Sequence, residues 1–466
     1  MDIDRALVSQ IAERVLRELQ AGGGGGSPKG QLGVFADIPS AIEAAQTAFQ
    51  AFKAIGLERR MEIIQKLREG LRLRVEELAR LAVEETSMGR VDDKIRKNLL
   101  VINKTPGPEI LEPKAVSGQN GLCLEEHAPY GVIGSITPCT NPSETVINNG
   151  IGMISGGNAV VFNAHPAAKR TTAFTIDLIN RLLVAEGAPP NLFTCTHEPT
   201  IESAGELMKA PGIRLLVVTG GPAVVKAAFA AGKKVIAAGP GNPPVVVDES
   251  ADLEQAGRGI VAGASFDNNV VCTCEKEVIA VEAIADRLKL AIQQAGAYEL
   301  RGAEIAAVQK LVVEDDGWHP RRDFVGKDAT HILGAAGIAF TGEPRLLFAD
   351  VPFKHPFVQA ELLMPLIGFT RARDVHEAIA LAKEAEHGFR HTASMYSKNI
   401  DHLHEMACAM DCSIFIKNGP NFNGLGYEGS GPTSFTIASP TGEGLTNALT
   451  FTRRRRCVLK DYFRIV

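Results

Sequence analysis

Val217-Val-Thr-Gly-Gly-Pro-Ala-Val-Val225 decides how this chain is built, because an apolar strand-like run gives way, at two glycines and a proline, to the start of a helix. Such a turn leaves backbone amides unpaired and aims the positive end of a helix dipole outward, which suits an anionic phosphate. It lacks the full G-x-G-x-x-G spacing, and many strand-to-helix turns hold no ligand. Working outward, short apolar runs recur at 132–136, 159–162, 214–218, 234–236 and 244–247, separated by helical stretches such as 167–185 and 223–231. This alternation predicts an α/β fold with a parallel sheet covered by helices. A second alternating block spans 278–416, and 33–90 has helical periodicity. The tail 457–466 reads as one more strand, apolar enough to want a partner sheet.

The length of 466 residues accommodates two large domains or three smaller ones, and 45% apolar residues is ordinary for a globular chain. A net charge of −5 provides no global field for nucleic acid. The run Arg453 to Arg456 is a local exception, read as a solvated or subunit-contact strand rather than a nucleic-acid patch. Eight cysteines without a paired framework, and no charged-then-apolar leader, predict reduced thiols in the cytoplasm. No apolar run reaches the roughly 18 residues of a membrane span. His404, Cys408 and Cys412 fall at i, i+4, i+8, which suits either three metal ligands on one helix face or a core-facing stripe of small residues.

Residues 1–20 carry Ile3, Leu7, Ile11, Val15 and Leu19 at i+4 spacing among charges, the pattern of an amphipathic helix. Residues 21–30, with Gly22 to Gly26, Ser27 and Pro28, form a flexible tether. The apolar stripe must then bury against a partner protein, a neighbouring copy, a membrane surface or the body of its own chain.

The chemistry centres on Cys272, in Ser265-Phe-Asp-Asn-Asn-Val-Val-Cys-Thr-Cys-Glu-Lys-Glu-Val278. A thiol downstream of two glycine-rich turns suggests covalent redox catalysis, whereas a buried, inert cysteine is the commoner fate of this residue type. Catalysis needs the thiolate, and a thiol with a reference pKa of about 8.5 requires nearby donors and positive potential to supply it. If the segment is extended, Cys274 shares a face with Cys272, as a second thiol or, more simply, as small filler. Thr137-Pro-Cys-Thr-Asn-Pro-Ser-Glu144 is a proline-flanked loop presenting the amide of Asn141, which suits an oxyanion donor but equally a plain turn.

Together, Pro129-Tyr-Gly-Val-Ile-Gly, Thr140-Asn-Pro, Gly157-Asn-Ala-Val-Val, Thr219-Gly-Gly, Ala238-Gly-Pro-Gly-Asn-Pro and Asn268-Asn-Val-Val-Cys resemble the aldehyde dehydrogenase superfamily over 33–466. More narrowly they resemble its coenzyme A-acylating propionaldehyde and acetaldehyde dehydrogenases of bacterial microcompartments. The resemblance implies a Rossmann-type cofactor domain over 31–240, a catalytic domain over 241–435, and a segment 436–466 that returns to the cofactor domain. It also implies a small β oligomerisation element including 112–130. Cys272 becomes the nucleophile, with Asn141 and the Cys272 amide as oxyanion hole. Gly220, Gly221 and Val224 match the pyrophosphate loop, and Glu361 the residue that holds the nicotinamide ribose. Thr137, Pro138, Thr140, Asn163, His165, Pro166, Thr219 and Gly239 complete the implied cofactor-binding set, and no metal is implied.

NAD and coenzyme A are the implied cofactor and cosubstrate, and propanal the aldehyde, with acetaldehyde-specific, hydrolytic and scaffold roles as alternatives. Hydrolytic members carry a glutamate base where this chain aligns Ala237, a loss worth about 10² to 10⁴-fold for attack by water. A thiol nucleophile needs less help. The chain departs from acylating relatives at Val271, usually Pro, and Cys274, usually Ala. Where hydrolytic members place a ribose-contacting lysine it reads Phe162-Asn-Ala-His165, so NAD and NADP are not distinguished. Residues 1–20 resemble encapsulation peptides, which implies a shell-protein partner, a location inside a microcompartment, and a dimer or tetramer.

Overall fold

The computed structural model of the chain describes residues 30–465. The readings of residues 1–20 as a helix and of most of 21–30 as a tether therefore lie outside the described residues.

Six parallel strands form the first sheet, in the order Val34–Phe35, Phe193–Thr196, Ala159–Asn163, Val132–Ile136, Ile213–Thr219, Lys234–Ala238. Starting at Val132–Ile136, the chain adds strands outward on one side, then crosses back to add Ile213–Thr219 and Lys234–Ala238 on the other. The reversal opens a crevice beyond the carboxyl ends of Val132–Ile136 and Ile213–Thr219, where ligands of open α/β sheets lie. Interior strands such as Val132–Ile136 and Ala159–Asn163 are buried throughout, as continuous apolar runs covered on both faces should be. The short strands Val34–Phe35 and Phe193–Thr196 were not apparent from the sequence, being too brief to set a period.

The second sheet has seven parallel strands in the order Ala297–Leu300, Leu346–Asp350, Leu366–Ala372, Glu277–Val281, Pro244–Val247, Thr392–Tyr396, Ile414–Lys417. The chain thus passes between sheets immediately after Lys234–Ala238. Helices Ile38–Phe52, Leu57–Arg72 and Val75–Thr86 follow the predicted helical region. A further helix, Val91–Lys104, buries Asp93, Lys94, Lys97 and Asn98 as well as apolar residues, and its charged sequence had concealed it.

A third, antiparallel sheet joins Lys114–Gly118, Gly121–Pro129 and Thr452–Lys460. It corrects the reading of the tail: the strand is Thr452–Lys460, and 461–465 are not strand. Arg453 to Arg456 lie on it as exposed residues, with Arg456 paired to Glu125.

The stripe at 404–412 is also corrected. Helix Ile400–Met410 ends at Asp411, in the left-handed conformation, so Cys412 lies beyond it, while His404 and Cys408 are exposed rather than core-facing. No group of three or more potential metal ligands occurs among the described residues, and no described helix is long and apolar enough to cross a membrane.

Candidate active site

Cys272, Asn141, Thr137, Pro138, Thr140, Asn163, His165, Pro166, Thr219, Gly220, Gly221, Val224, Gly239 and Glu361 all line one cleft of about 750 Å³ at the reversal point of the first sheet. Residues distant in sequence converge there because each follows the carboxyl end of a strand or a crossing between sheets. Thr137 to Asn141 come off Val132–Ile136, and Asn163 to Pro166 off Ala159–Asn163. Gly220 and Gly221 come off Ile213–Thr219.

Helix Pro222–Phe229 opens with Gly221 at its N-cap and no side chain capping it, so its first amides remain available, and a Cβ on Gly221 would meet nothing within 4 Å. Open space, orphan amides and a long cleft fit a dinucleotide phosphate. Around them, the Thr219 hydroxyl lies 2.8 Å from that of Thr436, and Asn163 Oδ1 accepts from Ser203 Oγ at 2.6 Å. His165 Nδ1 accepts from the Ala167 amide at 3.1 Å, and burial, aided by Arg322, depresses its pKa.

Cys272 sits on a turn rather than in an extended segment, half-buried on the cleft wall. Cys274 is buried in the core with its thiol 3.7 Å from the Phe266 carbonyl. Three consecutive left-handed residues precede the turn: Asp267, Asn268 and Asn269, with φ of 47°, 53° and 63°. Asp and Asn tolerate this region best, and here each is anchored through its side chain. Asp267 accepts from the Arg90 amide at 2.8 Å, Asn268 Nδ2 donates to the Gly326 carbonyl at 2.9 Å, and Asn269 Nδ2 donates to the Ala264 carbonyl at 2.7 Å.

The expected activation of the thiol is not present in the protein alone. Burial, and then the Glu361 carboxylate, push the Cys272 thiol up to about 12, against weaker opposing effects of Lys276 and Lys97. Glu361 is itself raised by burial, and its Oε1 accepts a long hydrogen bond, 3.5 Å, from the Gly241 amide.

Asn141 is the N-cap residue of helix Pro142–Ser155 and is 7% exposed. Its side chain does not cap that helix. Instead Oδ1 accepts from Lys97 Nζ at 2.6 Å and Nδ2 donates to Thr140 Oγ1 at 3.1 Å. Ala237 is fully buried in Lys234–Ala238, next to the cleft residues Ala238 and Gly239, and offers no carboxylate. Glu361 is the one acidic residue on the cleft lining among the described residues.

Sequence reasoning missed Cys139, Arg322, Leu363, Leu425 and Phe435 on the lining, and His391 beside it. No local pattern marks His391. It is fully buried, its Nδ1 lies 2.8 Å from Thr392 Oγ1 and its Nε2 has no hydrogen-bond partner, while burial pushes its pKa down to about 4. Gly241 brings it close, since a Cβ there would stand 3.0 Å from both the Cys272 carbonyl and the His391 ring.

These features define a class, thiol-based oxidoreductases on a dinucleotide-binding framework. The chain belongs to the aldehyde dehydrogenase family, whose model matches residues 30–302. It is 47% identical over 464 residues to the acetaldehyde dehydrogenase (acetylating) EutE of Salmonella typhimurium, covering 98% of this chain and 99% of that one. Its structure is similar to that of a propionaldehyde dehydrogenase from the Clostridium phytofermentans fucose utilisation bacterial microcompartment, with a TM-score of 0.92, 45% identity and coverage of 94% and 100%. It is likewise similar to the Rhodopseudomonas palustris propionaldehyde dehydrogenase with bound CoA and an acylated cysteine, with a TM-score of 0.90, 46% identity and coverage of 92% and 98%. The fold is accordingly that of the aldehyde dehydrogenases.

Proposed function

We propose that the chain oxidises a short-chain aldehyde, propanal foremost, with NAD and coenzyme A to acyl-CoA and NADH through an acyl-Cys272 intermediate. The observation that carries this reading is that Cys272 and Asn141 line one cleft, while Ala237 stands at the position where hydrolytic members carry their glutamate base. Similarity to an acetylating relative and to an enzyme with bound CoA and an acylated cysteine supports it.

In this reading the Cys272 thiol loses its proton to solvent, Sγ adds as thiolate to the aldehyde carbon, and the oxyanion accepts hydrogen bonds from Asn141 Nδ2 and the Cys272 amide. Thr219 to Val224 and Glu361 would hold NAD, which would supply the hydride acceptor. Loss of hydride from the substrate carbon converts the thiohemiacetal to a thioester on Sγ. The CoA thiolate then attacks the acyl carbon, and Sγ leaves as thiolate. Purified protein given propanal, NAD and CoA should form NADH only when CoA is present, and Cys272→Ala should abolish it. Equal turnover without CoA would make the enzyme hydrolytic.

A second reading, acetaldehyde as the preferred substrate, is favoured by the 47% identity to the acetylating relative. One methylene changes affinity by only about 1–3 kcal/mol, so kcat/KM over aldehydes of increasing length decides between them. Residues 1–20 are proposed to address the enzyme to a microcompartment shell protein, on their amphipathic pattern and the similarity to a microcompartment enzyme. The antiparallel sheet is proposed to join copies into a dimer or tetramer.

A further inference from the structure

Helix Val91–Lys104 carries charge into the interior, and its purpose is not explained by packing alone. Lys97 is fully buried, and its ammonium meets three acceptors: Asn141 Oδ1 at 2.6 Å, Asp267 Oδ2 at 2.5 Å and Glu144 Oε1 at 3.2 Å. An ammonium has three donors and no acceptor, so the hydrogen bond to Asn141 Oδ1 cannot reverse its polarity. Burial acts to discharge Lys97, but the Asp267 and Glu144 carboxylates outweigh it and the group stays cationic.

A carboxamide is nearly symmetric in shape, and its partners decide which end faces which way. With the cation on Oδ1, Nδ2 must point away from Lys97. One Nδ2 hydrogen goes to Thr140 Oγ1 at 3.1 Å and the other is left over. The reversed amide would set two donors against each other without solvent to relieve them, which costs far more than the hydrogen bond it replaces. We propose that Lys97 is a positioning residue that fixes the Asn141 carboxamide with its N–H toward the substrate oxygen. This rests on the function proposed above. The same ammonium binds Asp267, in the left-handed run that leads to Cys272, and so registers the oxyanion donor against the nucleophile loop.

Lys94 provides the internal comparison. It lies on the same helix, is equally buried and shares Asp267 at 3.0 Å, but it donates to the Thr140 carbonyl at 3.2 Å and makes no hydrogen bond to the Asn141 side chain. A purely structural role for the buried charges would make the two lysines equivalent.

The test is a pair of double-mutant cycles, read as CoA-dependent NADH formation from propanal, with melting curves to confirm folding. Asn141→Ala should lower kcat/KM by about 10²–10³-fold, the effect of removing one oxyanion donor. Lys97→Met should reproduce most of that loss, mainly in kcat, and the double variant should be no worse than Asn141→Ala alone. Losses in Lys94→Met and Asn141→Ala should multiply. Lys97→Gln, which keeps an N–H donor, should retain more activity than Lys97→Met.

Multiplying losses for Lys97→Met and Asn141→Ala would overturn the assignment. If Lys97→Met does not fold, the same cycle with Lys97→Gln decides it by the same criterion. Absence of CoA-dependent NADH formation in the unmodified enzyme would defeat the functional reading instead, while a normal parental rate with multiplying losses defeats only the role of Lys97.

Discussion

At Cys272 the protein opposes the ionisation that the proposed chemistry requires. Burial is the larger cause of the raised pKa and the Glu361 carboxylate the second. The free enzyme should therefore hold a protonated, slow thiol, protected from adventitious oxidation and alkylation. Inactivation by iodoacetamide, followed against pH, should keep accelerating past pH 10 rather than level off near the ordinary thiol value of about 8.5. Glu361→Gln removes a negative neighbour and lowers the thiol pKa, though not to the ordinary value, because burial remains. Each unit of that fall raises the thiolate fraction about tenfold and reduces its nucleophilicity about threefold, for a net gain of roughly threefold in alkylation rate at pH 8. A plateau below pH 9 in the parent, or slower alkylation in Glu361→Gln, would show that Glu361 does not act on the thiol in this way.

The element that delivers Cys272 is a strained turn made stable by partners from distant segments. A left-handed conformation costs about 1–2 kcal/mol for a residue other than glycine, and three such residues in succession persist only because their side chains are tied down. Gly89 is part of that support: its φ is +75°, and a Cβ there would meet Asp267 Oδ1 at 2.0 Å. Gly89→Ala should lose at least about 1–2 kcal/mol from the backbone alone, more from the collision, and lower kcat in the surviving folded enzyme. Urea unfolding and steady-state rates on one preparation check both parts, and an unchanged midpoint would remove the claim. Continuous apolar runs made the main strands legible, since a strand covered on both faces leaves an unbroken signature. The turn at 267–269 was legible only as polar residues before a thiol, because its geometry depends on Gly89, Arg90, Lys94 and Lys97. Lys94 and Lys97 belong to helix Val91–Lys104, with Arg90 as its N-cap and Gly89 just before it, and no local pattern in that charged stretch shows that it is buried. His391 and Arg322 were invisible for the same reason: proximity made by topology leaves no trace in local sequence. Asn141, Glu361 and the glycines were recognisable through ordered family motifs, not through their own neighbourhoods.

At the scale of the whole molecule, the antiparallel sheet is the least self-sufficient part. Thr452–Lys460 is an edge strand whose residues after Thr452 are all exposed. Edges are commonly protected by charge, and Arg453 to Arg456 protect the first half. The second half has Val458, 60% exposed, and the register aligns it with Cys123 and with Val116, 67% exposed, as an apolar row on one face. A row flanked by the charged row Lys114, Glu125 and Arg456 suits a self-complementary contact, in which a second copy covers the apolar residues and leaves the charges at the rim. If this sheet joins copies, the parent protein should sediment at a multiple of 49.7 kDa. Val458→Glu, which puts an unpaired charge in the middle of the buried row, should shift it toward the single-chain mass. The variant's far-ultraviolet spectrum should be preserved, because the side chain is exposed within one copy. Each chain builds its own cleft between its own two sheets, so dissociation should leave the intrinsic CoA-dependent rate within a few-fold of the parent. A parent that sediments as one chain would remove the proposed interface altogether, and a variant of undiminished mass would move it to another face.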